Sequence, residues 1–379
     1  MHKKHIFLAL LVTMASIWTV SAQEATTEPT LPYRSTYKSE LVVERLLITS
    51  IVWASDGRMF WTEKDGIVGT RNPDGVVQEE PVLQLEVQAL NEQGLLSIAL
   101  DPKFDENRLF YVFYTMPPDV NNPSPGNVIV RYLYEEGVGK NPVQLFRIDL
   151  PKGADNTFPD LHNGGRMKFG PTDGFLYVSL GDLGIRSAGQ DFNVLSGKIH
   201  RFVVSGNALV AAPGNPFPGN STWITGVRNT FAFTFDSLTG LMFATENGPD
   251  CDDEINLIIP GQNYGWSADV NCDSPIGQRQ ASGIKPLISW TPTIAPTGIM
   301  LYEGDVFPDW KGKLFYCAWK TEELGYFELN EKHTQFVRGA VILDLPSGKR
   351  CSIELAQGPD GYIYYSNITG MFRIEPLEA

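Results

Sequence analysis

Short runs of aromatic and β-branched residues recur along the chain, each entered through a turn rich in Asp and Gly. They read SDGRMFWTE (55–63), DENRLFYVFYT (105–115), PTDGFLYVSLGD (171–182), SLTGLMFATENG (237–248), PDWKGKLFYCAW (308–319) and GPDGYIYYSN (358–367). Asp-Gly and its substitutes make tight turns, and the bulky residues that follow suit a pleated, half-buried strand. No helical period is sustained long enough to compete. Aligned on Phe60, Phe110, Tyr177, Phe243, Phe315 and Tyr364, the copies lie 50, 67, 66, 72 and 49 residues apart. A unit of about fifty residues accommodates a four-stranded propeller blade. The expected fold is therefore all-β, a six-bladed β-propeller, with a β-sandwich as the competing architecture. The middle intervals are longer by roughly fifteen to twenty residues. Extra residues in a propeller go into loops, and loops on a rigid scaffold carry function.

The first residues, MHKKHIFLALLVTMASIWTVSAQE, run from a basic tip through an apolar stretch to Val20-Ser21-Ala22. This is the pattern of a secretory signal peptide over residues 1–22. The apolar stretch is short for a membrane span. A secreted or periplasmic protein is expected, with no stable membrane insertion after cleavage. TTEPTLP (26–32) reads as linker, which places a linker at 23–39 and the propeller at 40–379. Cleavage removes two lysines and no acid, so the net charge moves from −14 to −16. Such a surface repels phosphate backbones and argues against a nucleic-acid partner. A hydrophobic fraction of 42% excludes a disordered chain.

Export also bears on Cys251, Cys272, Cys317 and Cys351. An even count in an oxidising compartment implies two disulfides, with three possible connectivities. Pairing of sequence neighbours, Cys251–Cys272 and Cys317–Cys351, is the one expected here. The spacings fit neither a zinc ribbon nor a haem attachment site.

Within the lengthened middle of the chain lies DLHNGGR (160–166). His162 has the chemistry of a general base near neutral pH. Gly164 and Gly165 let a ligand or another strand approach the backbone. Taken alone, His162 also fits a structural loop histidine. Arg228-Asn229 opens a further blade and can bind an anion, or it caps a strand through an ion pair. ENGPDCDDEIN supplies Glu246, Asp250, Asp252, Asp253 and Glu254 with loop carbonyls, hard oxygen donors that suit Ca²⁺. The spacing is not that of an EF-hand, and a solvated acidic turn is the alternative.

Read together, the strings HNGGR…FGPTDGFLYVSLGD, GVRN…TENGPDCDDEINLIIPGQNYGW and PTIAPTG resemble the PQQ-dependent soluble sugar dehydrogenases, the glucose/sorbosone dehydrogenase family. The resemblance runs from about residue 40 to 377. It implies a six-bladed propeller, the cofactors PQQ and Ca²⁺, and oxidation of an aldose at C1 to a lactone. Without a haem motif, the electrons would pass to an external acceptor. By the same resemblance His162 matches the general base, and Arg228 the residue that stabilises the reduced quinone oxygen. Asn229, Thr293 and Lys320 match cofactor contacts, the last two to PQQ carboxylates. The carbonyls of Gly248 and Pro249 match the ligands of the calcium beside the cofactor, and Glu254 and Tyr264 a second, structural calcium. Glu92 and Asp182 fall at substrate positions.

The chain also departs from the family pattern. Where many members carry two arginines that bind PQQ carboxylates, it has Cys351 and Ile353. Asn247 stands where His or Gln is common. A propeller of the same family that has lost PQQ and binds carbohydrate or protein is therefore a second expectation, and calcium-dependent lactone hydrolysis a third. A Cys317–Cys351 disulfide would cross-link the last two blades close to Lys320.

Overall fold

The recurring runs become the second strands of six antiparallel sheets arranged as a β-propeller in the computed structural model, which describes residues 37–153, 156–274 and 283–377. Strand β1 (Tyr37–Val43) precedes blade one, which is β2 (Ile48–Trp53), β3 (Met59–Glu63), β4 (Ile67–Arg71) and β5 (Leu83–Gln84). Blade two is β6 (Leu95–Leu100), β7 (Leu109–Met116), β8 (Gly126–Glu135) and β9 (Val138–Asp149). Blade three is β10 (Gly164–Phe169), β11 (Leu176–Leu180), β12 (Lys198–Ser205) and β13 (Ala208–Ala211), with β14 (Thr222–Thr225) also paired to β12. Blade four is β15 (Thr230–Phe235), β16 (Met242–Glu246), β17 (Asp253–Ile258) and β18 (Ile288–Trp290). Blade five is β19 (Pro296–Leu301), β20 (Lys313–Ala318), β21 (Glu323–Glu328) and β22 (Val341–Ile342). Blade six is β23 (Leu355–Gln357), β24 (Ile363–Ser366) and β25 (Met371–Pro376), completed by β1 from the other end of the chain.

Among the described residues the buried hydrophobic side chains form six clusters, one between each pair of neighbouring blades. Each blade is therefore buried on both faces, which is why its second strand reads as a continuous apolar run. Alternation still sorts the residues. In β7, Phe110, Val112 and Tyr114 face blade one, while Tyr111 and Phe113 face blade three. In β20, Leu314, Tyr316 and Ala318 face blade four, and Phe315 and Cys317 face blade six. Phe60, Tyr177, Phe243, Phe315 and Tyr364 all face the following blade, but Phe110 faces the preceding one. Tyr111 is thus the true equivalent in blade two. A one-residue slip in alignment turns a strand residue to the opposite face. Tyr111 also shares the repeat's turn bond: its hydroxyl donates to Asp101, as Tyr177 does to Asp173 and Tyr364 to Asp360.

The ring closes in blade six. β1 runs antiparallel to β25 with Tyr37 opposite Pro376 and Leu41 opposite Phe372. The propeller therefore starts at Tyr37, inside the stretch expected as linker; residues 1–36, including the expected signal peptide, lie outside the described residues. The disulfide Cys317–Cys351, with Cα atoms 5.5 Å apart, ties blade five to the loop entering blade six. Cys251–Cys272, with Cα atoms 5.7 Å apart, ties the loop before β17 to the loop after it. Across the centre, Arg166 of blade three forms a buried ion pair with Glu354 at the start of blade six and donates to Ser50 of blade one at 3.2 Å. Among the described residues no helix is long and apolar enough to cross a membrane.

Candidate functional site

The loop before β10 carries His162 at a φ of 56°, a left-handed conformation few side chains adopt. The two glycines after it serve strand packing rather than a ligand. A Cβ on Gly164 would lie 2.8 Å from Gly181 N, and one on Gly165 would lie 2.7 Å from the Phe113 ring. The imidazole is held by Asp182, which follows β11: His162 Nδ1 lies 2.7 Å from Asp182 Oδ1. That oxygen also accepts the Gly184 N–H at 2.8 Å, and Asp182 Oδ2 accepts the Trp266 indole N–H at 2.8 Å. The carboxylate is fully buried with both oxygens engaged, so Asp182 stands behind the histidine and not at a substrate-facing position. Because a carboxylate only accepts, Nδ1 must carry the proton, which leaves the lone pair on Nε2.

Arg228 and Asn229 enter blade four beside this pair. The Asp182 N–H donates to the Arg228 carbonyl at 2.7 Å. The Glu246 carboxylate, at the end of β16, accepts the N–H groups of Arg228 (2.7 Å) and Asn229 (2.6 Å) and the Thr230 hydroxyl (2.7 Å). The Arg228 guanidinium stands over the Trp266 ring at 5.5 Å. It donates through Nη1 to the carbonyls of Asn247 (2.8 Å) and Gly248 (2.9 Å). Glu92, from the loop between blades one and two, accepts the His162 N–H at 2.7 Å and the Asn229 side-chain N–H at 3.0 Å. Glu92 is thereby engaged with protein groups rather than directed only at a substrate. The top loops of blades two, three and four are linked through it.

The four residues expected around calcium, Gly248, Pro249, Glu254 and Tyr264, line one cavity of about 20 Å³ with Glu246 and Arg228. That volume holds one water or one ion. Burial pushes the Glu246 carboxyl up to about 7 and Glu254 to about 8, against hydrogen bonds that oppose both rises. Two buried carboxyls and loop carbonyls are hard donors that fit a single calcium-sized cation. Gly248 O, which accepts from the guanidinium, would be shared between that group and the cation. Among the described residues no three His, Cys, Asp or Glu side chains converge as a metal cluster, so such an ion would depend on backbone oxygens. Glu246, Asp253 and Glu254 are buried, and the solvated-turn alternative fits only the exposed Asp250. Asp253 locks the loop: Oδ1 accepts the Gly248 N–H at 2.9 Å and Oδ2 the Ala295 N–H at 2.6 Å.

Lys320 and Thr293, from two loops of the blade-five side, meet through a hydrogen bond between Nζ and Oγ1. A surface ammonium beside a hydroxyl fits a ligand carboxylate. The segment that would supply the family's two arginines is instead interior: Cys351 and Ile353 are 0% and 4% exposed. The other two histidines among the described residues, His200 and His333, are structural. His200 is buried between Ser221 Oγ (2.9 Å) and Leu195 O (2.7 Å), and burial pushes it down to about 4. His333 Nδ1 lies 2.8 Å from Asp236, away from these loops in sequence and in fold.

Sequence reasoning did not find Glu246 as the clamp on Arg228-Asn229, Trp266 as the partner of Asp182, or the Arg166–Glu354 pair. All are long-range contacts. Trp266 is 84 residues from Asp182, and the only signal available was its place in the string NYGW.

The family model described as Glucose / Sorbosone dehydrogenase matches residues 48–370. The chain is 28% identical over 297 residues to aldose sugar dehydrogenase YliI of Escherichia coli K12, covering 74% of this chain and 75% of that protein. It is 25% identical over 355 residues to quinoprotein glucose dehydrogenase B of Acinetobacter calcoaceticus, covering 84% and 72%. The PQQ-bound form of aldose sugar dehydrogenase from Streptomyces coelicolor superposes with a TM-score of 0.71 at 25% identity, over 89% of this chain and 98% of that one.

Proposed function

The chain belongs to the glucose/sorbosone dehydrogenase family, and on that premise we propose that it is an exported, PQQ-dependent dehydrogenase. It would oxidise aldose sugars at C1 to lactones and pass the electrons to an external acceptor. The observation that carries this reading is the buried Asp182 behind His162, set beside the Arg228-Asn229 arm.

His162 Nε2 takes the proton from the anomeric hydroxyl as C1 gives up its hydride. Asp182 keeps the proton on Nδ1, orients the ring and stabilises the imidazolium that forms, with Trp266 and Gly184 fixing the carboxylate in turn. PQQ, when bound, supplies the two-electron quinone that receives the hydride. Arg228 presents a cation, and Glu246 holds the backbone of Arg228 and Asn229 through both N–H groups. Lys320 with Thr293 would take a cofactor carboxylate. A calcium ion in the small cavity would neutralise Glu246 and Glu254 and brace the Gly248-Pro249 turn next to Arg228.

A second reading has its own observation. Cys351 and Ile353 fill with disulfide and hydrocarbon the place where the resemblance puts two cationic partners of a tricarboxylate. If nothing replaces them, PQQ does not bind, and the propeller is a binding module for carbohydrate or protein. Sugar-dependent dye reduction by PQQ- and Ca²⁺-loaded protein separates the two. The dehydrogenase gives turnover that H162A abolishes; a binding module gives none with any aldose.

A further inference from the structure

We propose that the cleft between blades one and six, on the face opposite His162, is a second binding site, and that its ligand is a sugar acid, a hydroxyl-bearing ring with one carboxylate. This site stands whether or not the chain is a dehydrogenase.

β2 and β10 hold the same place, as first strands of their blades. His162 precedes β10 and Trp53 ends β2, so the two residues mark opposite faces of the ring. On the Trp53 face a cavity of about 270 Å³ opens between the blades. That is just under the usual range of about 300–1,000 Å³ for ligand sites and suits one small ring. Its walls include the half-buried Trp53, whose indole meets the Tyr364 ring edge-on at 5.0 Å, and the exposed Pro73 and Pro359. Such surfaces take the C–H face of a ring.

The polar side of the cavity comes from the turn RNPDG (71–75). Asn72 closes the turn: its carbonyl accepts the Gly75 N–H at 3.0 Å and its Oδ1 the Val76 N–H at 2.8 Å. The turn presents the Gly75 carbonyl to Arg71 Nε at 2.9 Å. That bond fixes one end of the guanidinium and leaves Nη1 and Nη2 uncommitted. Among the described residues no carboxylate pairs with Arg71. A Cβ on Gly75 would lie 2.6 Å from Nη2, so glycine keeps that nitrogen clear. A fixed guanidinium fork with free N–H groups matches a carboxylate.

The other charges of the cavity select further. Arg373 is already matched: it pairs with Glu375 and, at 3.7 Å, with Asp360, and it stands over the Tyr362 ring at 4.7 Å. Asp360 also accepts the Tyr364 hydroxyl at 2.7 Å. Asp74 has no hydrogen bond or ion pair among the described residues. A carboxylate only accepts, so Asp74 suits a ligand hydroxyl. A bare anion would leave Asp74 facing like charge, and a neutral sugar would leave Arg71 unmatched. A sugar acid answers both.

The full chain is labelled with ¹⁵N-tryptophan and titrated with glucuronate, glucose and acetate. The Trp53 indole resonance is identified by its loss in W53F. Glucuronate should shift it saturably, with a Kd lower than that of glucose or acetate by about 10-fold or more, the scale of a charge-assisted pair. R71M should remove the preference over glucose and D74A the preference over acetate, with the fold retained by circular dichroism. The Trp266 indole, identified by its loss in W266F, lies on the His162 side, and its response should be the same in R71M as in the wild type. No saturable shift of Trp53 with glucuronate would overturn the site. Equal affinity for glucose would overturn the part given to Arg71, and equal affinity for acetate the recognition of hydroxyls. A glucuronate response kept in both R71M and D74A would overturn the two assignments together.

Discussion

Asp182 Oδ1 lies 2.7 Å from His162 Nδ1 and fixes which ring nitrogen is free to act as a base. The D182N variant removes the acceptor-only partner and allows the wrong tautomer. We expect kcat for aldose oxidation to fall by about 10²- to 10⁴-fold, the usual contribution of a positioned general base, while the far-ultraviolet circular dichroism stays that of a β-propeller. Steady-state kinetics of the PQQ-loaded variant check this. A loss confined to KM would contradict the role given to Asp182.

The two acids in the small cavity give a pH dependence with a definite sign. Glu246 and Glu254 bind protons more tightly folded than unfolded, because burial raises both above 4.5, to about 7 and about 8. The native state therefore holds more protons than the unfolded one between those limits. Metal-free protein should be most stable below about pH 4.5 with respect to these groups and lose that contribution as pH rises through 7 to 8. Calcium in this cavity would bind the ionised forms, so it should raise Tm more at pH 8 than at pH 5, and chelation should reverse the gain. Thermal unfolding at both pH values with EDTA or Ca²⁺ reads this directly. An equal or larger calcium effect at pH 5 would contradict it.

Arg166 and Glu354 are both at least 96% buried, and they join blade three to blade six across the propeller centre. E354A leaves the guanidinium buried without its counter-ion. Denaturant unfolding should show a loss of about 3–5 kcal/mol. The double variant R166M/E354L removes both charges and should recover much of that loss, since the desolvation of two ions goes with them.

The Cys317–Cys351 disulfide closes a segment of 34 residues that contains β21 and β22. Its removal in C317S/C351S should lower stability by about 3–4 kcal/mol on the chain-entropy scale for a loop of this length. Mass spectrometry of the non-reduced protein should find no free thiol at either position. A free Cys317 would show that the cysteine that stands in for a family arginine has no structural role.

The propeller was legible because its evidence is local. A turn followed by a strand repeats six times, and each copy carries its own turn signal, Asp-Gly in three and a substitute in the other three, with its own aromatic residues. Register was less secure: Phe110 and Tyr111 are both aromatic, and composition alone cannot say which faces which blade. His162, Arg228, Asn229, Gly248 and Lys320 were readable through contiguous motifs. The Glu246 clamp, the Trp266–Asp182 bond and the double use of Glu92 were not. Glu246 lies across a strand pair from the residues it holds, and Glu92 is 137 residues from Asn229. Such contacts exist only once the blades are arranged in a ring. The same holds for Gly164 and Gly165, which look like an opening for a ligand in one dimension and prove to be close strand packing in three.

We propose that this propeller still takes PQQ although Cys351 and Ile353 stand where the family resemblance puts two cationic partners. Titration of metal-depleted protein with PQQ in the presence of Ca²⁺, followed by fluorescence, tests it most directly. Saturable, calcium-dependent binding that weakens in K320A and R228A is the predicted result, and it would mean that Lys320, Thr293 and Arg228 suffice to hold the cofactor. No binding at high micromolar PQQ would contradict it and would leave a family propeller that recognises sugar or protein without the quinone.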